Sequence, residues 1–233
     1  MESSTNLRIA AALGDFAVRL NAETDPDAVL AAIVGSAIEL LPGISWAGIS
    51  LVRGRSIESR APTDAVARKL AELQADYGEG PVLSALHEGR TIAVTDLEKE
   101  PRWPRFVAAA SAMGVRCTMS FRLFARDEAL GVLTLYGPHP DMFSDEIVAI
   151  GEIFAQHAAV AMAGAVAEAQ MQRAIASRDV IGQAKGILMQ RDNLTGLQAF
   201  SVLTRASQET NVKLTEVARF LVGEIEDRAR QRD

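Results

Sequence analysis

All eight prolines of the chain fall within its first 140 residues, and the last 93 residues contain none. Proline removes a backbone donor and ends helices, so its absence allows an uninterrupted helix from Ser144 onward. Ser144 is a good N-cap, and Asp145 and Glu146 add negative charge in the first turn. A helix that continues to about Gln190 has about 45 residues and a length of about 67 Å, more than one small domain can cover. The pattern therefore predicts a long helix that needs a packing partner.

One face of this predicted helix carries a narrow row of small and apolar residues. The row consists of Ile150, Phe154, Ala158, Ala161, Ala165 and Ala169. Small residues let two helices approach closely, and we expect the partner to be the same helix of a second copy, in a homodimer. Packing on the chain's own sheet explains the row equally well as far as about Val160, and beyond that residue we favour the dimer.

The composition is that of an ordinary soluble globular protein. Hydrophobic residues make up 48%, charged residues 23%, and the net charge is -6. The longest unbroken apolar run, residues 158–167, is about half of what a membrane helix needs, and the N-terminus lacks the basic start and apolar core of a secretory signal. We expect a cytoplasmic protein with no membrane span.

Few groups in the chain suit metal, redox or catalytic chemistry. Cys117 is the one cysteine, and His87, His139 and His157 have no spacing of a helical metal pair. A nucleophile elbow, a Walker loop, a dinucleotide fingerprint and an HExxH motif are all absent. We therefore expect no enzyme, no catalytic residue, no metal and no cofactor. Haem ligation by one of the histidines is the alternative.

Before the long helix, the periodicity alternates between helices and strands. Helices are expected at residues 6–21, 26–41, 63–76, 82–89 and 106–113, and strands at residues 44–52, 55–61, 90–97, 115–125 and 129–137. Tight turns separate the first two strands and the last two, which indicates antiparallel pairs. The pattern predicts an α+β domain with about five or six strands.

The last 60 residues are predicted to form three helices, at residues 174–190, 194–210 and 214–229, which make a small bundle. The charge changes at the same point. Residues 1–169 hold 14 Lys or Arg against 22 Asp or Glu, a net of -8, whereas residues 170–233 hold 10 against 8, a net of +2. A mildly basic segment after an acidic body is a weak sign of a nucleic-acid-binding module.

Specific sequence motifs in this tail resemble the ANTAR domain, an RNA-binding antiterminator module. They are RDVIGQAKGILMQR from Arg178, AFSVLTRASQETNVKL from Ala199 and EVARFLV from Glu216. The resemblance covers residues 174–226 and includes the AKGILM core at residues 184–189. It implies that the tail binds RNA through the surface of the bundle.

Further sequence motifs upstream resemble a GAF domain, of the kind often fused to ANTAR in actinobacterial regulators. They are YGEGPVLSAL, RTIAVTDL, EPRWPRF and GVLTLYG, and the resemblance covers residues 25–165. GAF domains are α+β sensor modules that bind small molecules or pair as dimers. The expected division is a GAF domain with N-terminal helices at residues 1–165, a connecting coiled-coil helix at 146–175 and an ANTAR domain at 174–229.

RNA recognition requires cations for phosphates and hydrogen-bonding groups for unstacked bases. Arg178, Gly182 and Lys185 share one face of the first bundle helix, and Arg205 and Gln208 share a face of the second. The candidate RNA-binding residues are Arg178, Gly182, Gln183, Lys185, Arg205, Ser207, Gln208, Asn211 and Lys213. Ordinary surface charges and helix caps explain each residue taken singly, whereas the resemblance favours RNA binding for the group. Phe200 and Phe220 are expected in the bundle core.

The resemblance implies a partner RNA with two adjacent hairpins in a nascent transcript, where binding prevents a terminator hairpin from forming. Two modules of a homodimer suit two hairpins, because linked binding events gain affinity through effective concentration. The alternative is an interaction module whose helical tail docks another protein.

A ligand pocket of the GAF-like domain is expected between the sheet and its covering helices. Trp46, Trp103, Met119 and Phe121 could line it, although all four are equally good core residues. The signature of cyclic-GMP-binding GAF domains is absent. Cys117 is followed by Thr118 rather than by histidine, which argues against a bilin pigment.

Overall fold

The computed structural model describes residues 25–41, 43–53, 56–125 and 128–230, together with Gly14, Phe16, Val18 and Glu23. The chain divides into two compact units, Met1–Ala167 and Glu168–Asp233, called here the sheet unit and the helical unit. The helix expected at residues 6–21 lies outside the described residues, apart from the helical residues 14, 16 and 18.

The sheet unit contains five antiparallel strands in the order β2-β1-β5-β4-β3. They are β1 (Trp46–Arg53), β2 (Ser56–Arg60), β3 (Ile92–Val94), β4 (Cys117–Ala125) and β5 (Glu128–Gly137). The predicted α+β fold with two antiparallel hairpins is confirmed. The third strand is shorter than expected, because Asp96 caps a 3-10 helix at Leu97–Lys99 that ends the extended segment.

Most of the described helices begin at a proline or after a capping side chain. They are α1 (Pro26–Leu40), α2 (Ala65–Tyr77), α3 (Pro81–Glu88), α4 (Pro104–Ala112), α5 (Asp145–Asp192), α6 (Gly196–Thr210) and α7 (Leu214–Arg230). Proline occupies the first turn of α1, α3 and α4, where a missing backbone donor costs nothing. Asp25 and Asp64 cap α1 and α2 by accepting hydrogen bonds from the N–H groups of Ala28 (3.1 Å) and Ala67 (2.9 Å).

The two faces of the sheet bury separate cores. One face packs against α1 and the start of α5, with Met119, Phe121 and Leu133 fully buried. The other face packs against α2, α3 and α4, around Trp103 and Phe106. The sheet is therefore the middle of three layers.

The glycines of the YGEGP sequence, residues 77–81, shape the junction between α2 and α3. Gly78 ends α2 in the left-handed region, with φ of 69°. Gly80 has φ of 138°, and the buried Gln74 side chain occupies the space that a Cβ at this position would need. From there Gln74 Oε1 accepts a hydrogen bond from the Val82 N–H at 2.8 Å, which satisfies the N-terminus of α3.

Glu79, between these two glycines, connects the same junction to α4. Its Oε1 accepts hydrogen bonds from the N–H groups of Arg105 (2.6 Å) and Phe106 (2.9 Å) in the first turn of α4. Helix N-termini leave unpaired donors that a carboxylate satisfies. The YGEGP sequence thus helps to fix the relative positions of α2, α3 and α4.

The row of small residues on α5 packs on the chain's own sheet. Phe154 and Ala158 are fully buried in the sheet unit, Ala165 is 7% exposed, and the ring of Phe16 lies 4.4 Å from that of Phe154. Of the two alternatives left open as far as Val160, packing on the sheet is the one observed, and it continues to Ala165, where the expectation of a second copy is wrong.

The long helix predicted from the missing prolines is confirmed, with 48 residues. It contains an 18-residue stretch with a mean hydropathy of 1.5, so by length and composition alone it could cross a membrane. The core helix of a soluble protein meets the same criterion, and Phe154, Ala158 and Met162 of α5 pack in the core of the sheet unit.

The helical unit packs the last part of α5 against α6 and α7. Its buried residues are Ala184, Leu188, Ala199, Leu203 and Ala218. Three of the five are alanines, so the helices approach closely around a small core. The three predicted bundle helices are confirmed, and the first of them is continuous with α5.

Candidate functional site

The row of candidates on α5 is accessible. Arg178 and Gly182 are exposed, and Lys185 is half-buried, on the side of the helix that leaves Ala184 and Leu188 to the core. A Cβ placed on Gly182 would meet nothing within 4 Å. This row therefore offers two cations and, at Gly182, an open piece of backbone where a phosphate chain can approach. Gln183 is exposed too, but five residues from Arg178 turn it by about 140° away from the row.

The candidates on α6 lie on another side of the bundle. Lys185 reaches Gly196, since its Nζ lies 3.8 Å from the position that a Gly196 Cβ would take. Arg205 is nine residues, or two and a half turns, after Gly196, so it lies on the opposite side of α6. Gln208 is on the same side as Arg205. Both are exposed. The structure thus divides the candidates into an α5 group and an α6 group.

The turn between α6 and α7 is held by three of the candidates. Asn211 ends α6 in the left-handed region, with φ of 54° and its N–H donating to the Ser207 carbonyl. The Ser207 hydroxyl donates to the Val212 carbonyl at 2.6 Å, so its hydrogen is used inside the turn. Lys213 is exposed, and its carbonyl accepts from the N–H of Glu216 at 2.8 Å. Ser207 and Asn211 therefore have structural roles, and Lys213 supplies the free charge of the corner.

Two aromatic rings that we expected in the core are at the surface. Phe200 is 40% exposed and Phe220 is 75% exposed. The prediction is wrong because Ala199, Leu203 and Ala218 occupy the core. Phe200 is one residue after Ala199 and Phe220 is two residues after Ala218, so the helix turns both rings away from the core. Small core residues bring the helices too close for a phenylalanine at the contact.

The sheet unit has a cavity of about 390 Å³ at the start of β3, where β4 continues beyond the first residue of the shorter β3. Arg122, Phe124, Glu152 and Gln156 are among its lining residues, and the last two belong to α5. The Arg122 guanidinium lies 4.7 Å from the centre of the Phe124 ring. Among the described residues, its buried Nε has no hydrogen-bond partner. An anionic group of a small molecule would satisfy this cation.

The four residues expected to line a GAF pocket do not meet. Met119 and Phe121 belong to the core under α1 and α5, whereas Trp46 and Trp103 belong to the core under α2 to α4. Only Phe121 lines the cavity beside Arg122.

Buried polar side chains occupy the face of the sheet under α2 to α4. Gln74 Nε2 donates to the Tyr136 hydroxyl at 3.1 Å, and the hydroxyls of Ser120 and Thr134 are 3.0 Å apart. Burial raises the pKa of Tyr136 far above its ordinary value, so the phenol stays protonated. These groups satisfy one another in the middle of the domain.

Cys117 is fully buried on the opposite face of the sheet. Burial raises the pKa of its thiol to about 11. The thiolate is the reactive form of cysteine, so this group is a poor nucleophile at neutral pH. Among the described residues, no three side chains of His, Cys, Asp or Glu form a group that could hold a metal ion.

The chain thus combines a sheet domain that has a cavity beside Arg122 with a helical bundle that carries accessible cations. Family models match both parts: a GAF domain at residues 23–163 and an ANTAR domain at residues 169–222. The first match spans more than half of the chain. The chain belongs to the GAF domain family and carries an ANTAR domain, which confirms both resemblances.

Solved structures similar to this chain share the GAF fold. The GAF domain of a phosphoenolpyruvate-protein phosphotransferase from Coxiella burnetii is 18% identical, with a TM-score of 0.55 over 70% of this chain and 98% of that one. The reduced form of fRMsr of Staphylococcus aureus is 17% identical, with a TM-score of 0.55 over 66% of this chain and 94% of that one. Free methionine-R-sulfoxide reductase from Neisseria meningitidis is 21% identical, with a TM-score of 0.53 over 67% of this chain and 89% of that one. No curated protein matches the chain.

The two families define the class of function. ANTAR is a family linked to RNA-binding antitermination regulation, and GAF domains are sensory. Both are typically soluble domains. The architecture is that of a regulatory protein, although the similar structures include reductases.

Proposed function

We propose that this chain is a signal-responsive, cytoplasmic transcription antiterminator that binds paired hairpins in nascent transcripts through its ANTAR domain. The observation that carries the proposal is the accessible row of Arg178, Gly182 and Lys185 on a bundle that matches the ANTAR family. Cations two turns apart, with the bare backbone of Gly182 on the same side, suit a phosphate backbone that approaches the helix closely. Lys213 adds a cation at the α6–α7 corner.

The proposed organisation is a GAF sensor at residues 1–165, a connecting helix at 146–175 and an RNA-binding domain at 174–229. Two ANTAR domains are needed for two hairpins, so the proposal includes a homodimer. A second row on α5 supports it, because the apolar side chains of Ile153 and Val160 are exposed two turns apart, with His157 between them, on the side away from the buried Phe154 and Ala158.

The proposed signal is a small molecule with an anionic group, bound beside Arg122. Its support is the unpartnered guanidinium nitrogen and the cavity that it lines. We propose no enzyme activity. The buried Cys117, whose raised pKa keeps the thiol protonated, supports this, since the one cysteine of the chain is not available as a nucleophile.

One observation favours a second function, the docking of a partner protein by the tail. The exposed Phe220 has glutamates one turn before and one turn after it, Glu216 and Glu224. Carboxylates repel phosphates but suit a basic protein surface. This face of α7 is therefore better suited to a protein than to RNA.

Crosslinking to RNA in cells, followed by sequencing, tests the proposal. The test variant is Arg178→Gln with Lys185→Gln, and the matched control is Arg68→Gln with Lys69→Gln, which removes two exposed cations from α2. We expect leader RNAs with two adjacent hairpins to be enriched by the wild type and the control and lost in the test variant. In vitro, each lost phosphate contact lowers the salt slope of binding by about 1.

No enrichment of hairpin RNA by the wild type, in cells or with cell extract present, would exclude the RNA function. Recovery of a protein partner that Phe220→Ala abolishes would then support the second function.

A further inference from the structure

A small apolar surface with one cation lies where α5 and α6 meet in the helical unit. We define the Gly196 face as Lys185 and Met189 of α5 with Gly196, Leu197 and Phe200 of α6. A Cβ placed on Gly196 would lie 3.7 Å from the Met189 sulfur and 3.8 Å from Lys185 Nζ. Phe200 follows Gly196 by one turn, so the two share a side of α6. The face therefore combines an aromatic ring, a thioether and an amine.

The Phe200 ring is directed toward this face by helix geometry. Side chains of helical residues lean toward the preceding turn, which for Phe200 is the turn of Gly196. Glycine has no side chain to fill that space. The ring is 40% exposed and Leu197 beside it is 78% exposed. Part of an aromatic surface is thus open to solvent one turn from the glycine that the Lys185 amine approaches.

The charges around the two exposed rings of the domain differ. The neighbours one turn from Phe200 on α6 are Gly196, Leu197, Leu203 and Thr204, and none of them is acidic. Phe220 instead lies between Glu216 and Glu224. A phosphate backbone is attracted by Lys185 and repelled by carboxylates. Charge therefore favours a nucleic acid at Phe200 and disfavours it at Phe220.

We propose that Phe200 is a stacking platform for an unpaired base of the bound RNA loop, with Lys185 holding an adjacent phosphate. Every base has a π-face, so a phenylalanine can hold a base in place without reading its identity. Because Gly196 has no side chain, the Lys185 amine can lie against α6 one turn from Phe200. The inference rests on the proposed function, because it assigns a contact within the RNA complex.

The test begins with an RNA selected on the full-length wild-type protein, from a pool of tandem hairpins with randomised loops. The selected RNA is then prepared with 5-iodouridine at single loop positions and irradiated in the complex. This probe crosslinks efficiently to an aromatic ring stacked on it. We expect one loop position to give a crosslink that peptide mass spectrometry assigns to Phe200.

Three variants separate stacking from charge and from packing. Phe200→Leu keeps an apolar side chain and should weaken binding by about 5- to 150-fold with an unchanged salt slope. Phe200→Tyr keeps the ring and should bind within about 2-fold of the wild type. Phe220→Leu is the matched control, and we expect no change in affinity. Lys185→Gln should instead reduce the salt slope by about 1.

The outcomes distinguish this inference from the function on which it rests. If no RNA is selected above a no-protein background, both fail. If an RNA is selected but crosslinks map elsewhere and Phe200→Leu binds normally, the RNA function stands and the stacking role is overturned. If Phe200→Leu changes the sedimentation of the free protein, the Gly196 face is a contact between copies, and the stacking role is again overturned.

Discussion

At the scale of single residues, the core of the helical unit is built largely of small side chains, with leucines only at 188 and 203. Arg178 and Lys185 could be placed on one accessible face, because helical spacing alone fixes which residues share a side. Phe200 and Phe220 could not be placed correctly, because hydrophobicity predicts burial only when the core has room. The alanines at 184, 199 and 218 fill that core, and this depends on how closely the helices approach.

Cys117 gives a prediction at this scale. Its raised pKa, about 11 against an ordinary 9.0, means that at pH 8 the folded protein holds about 100-fold less thiolate than the unfolded chain. We expect iodoacetamide to label the native thiol at least 100-fold more slowly than the thiol in concentrated urea. The rate in urea is the control, and equal rates would show that the thiol is accessible.

The same shift has a consequence for stability. A thiol whose pKa is raised by folding contributes stability that is fully present below the unfolded pKa and is lost as the pH rises through the folded value. The free energy of unfolding should therefore fall between about pH 9 and pH 11. A Cys117→Ala variant should lack this part of the pH dependence.

At the scale of elements, most of the helices and strands could be predicted, because prolines and capping residues mark their ends. The long helix followed from the missing prolines, and the antiparallel pairs followed from their turns. What covers each face could not be predicted, since a row of small residues packs equally well on a sheet or on another helix. The burial of Ala158 and Ala165 in the sheet unit shows which occurs.

The start of α6 provides a prediction for an element. Thr195 Oγ1 accepts from the Gln198 N–H at 3.3 Å, and Gln198 Oε1 accepts from the Thr195 N–H at 2.8 Å, which is a capping box. Thr195→Ala should lower the stability of the helical unit by about 1 kcal/mol, measured by urea denaturation followed by circular dichroism.

Ser201→Ala is the matched control for this prediction. The Ser201 hydroxyl is exposed and donates to the Leu197 carbonyl within the same helix, at 3.0 Å. Such a bond contributes little, so we expect a change of less than about 0.5 kcal/mol. Equal effects of the two substitutions would contradict a capping role for Thr195.

At the scale of the whole molecule, the proposed homodimer is the feature that the fold alone does not define. Val160 is 70% exposed on α5, two turns from the exposed Ile153. A charge placed in a helix contact between copies costs several kcal/mol. Val160→Glu should therefore shift the protein from dimer to monomer in sedimentation velocity at micromolar concentration.

Ala75→Glu is the control, because it introduces the same charge at an exposed position of α2. It should sediment like the wild type. A wild-type protein that sediments as a monomer, or a Val160→Glu variant that remains a dimer, would contradict the role given to this row of α5.

The closed environment of Cys117 also makes the chain a convenient background for spectroscopy. The native sulfur is fully buried and is the one cysteine of the chain, so a cysteine introduced at an exposed position would be the sole thiol open to a spin label or a dye. Labelled cysteines in place of Gln172 or Arg230, both exposed, would report distances between copies, and their change on adding RNA, with Cys117 left in the chain.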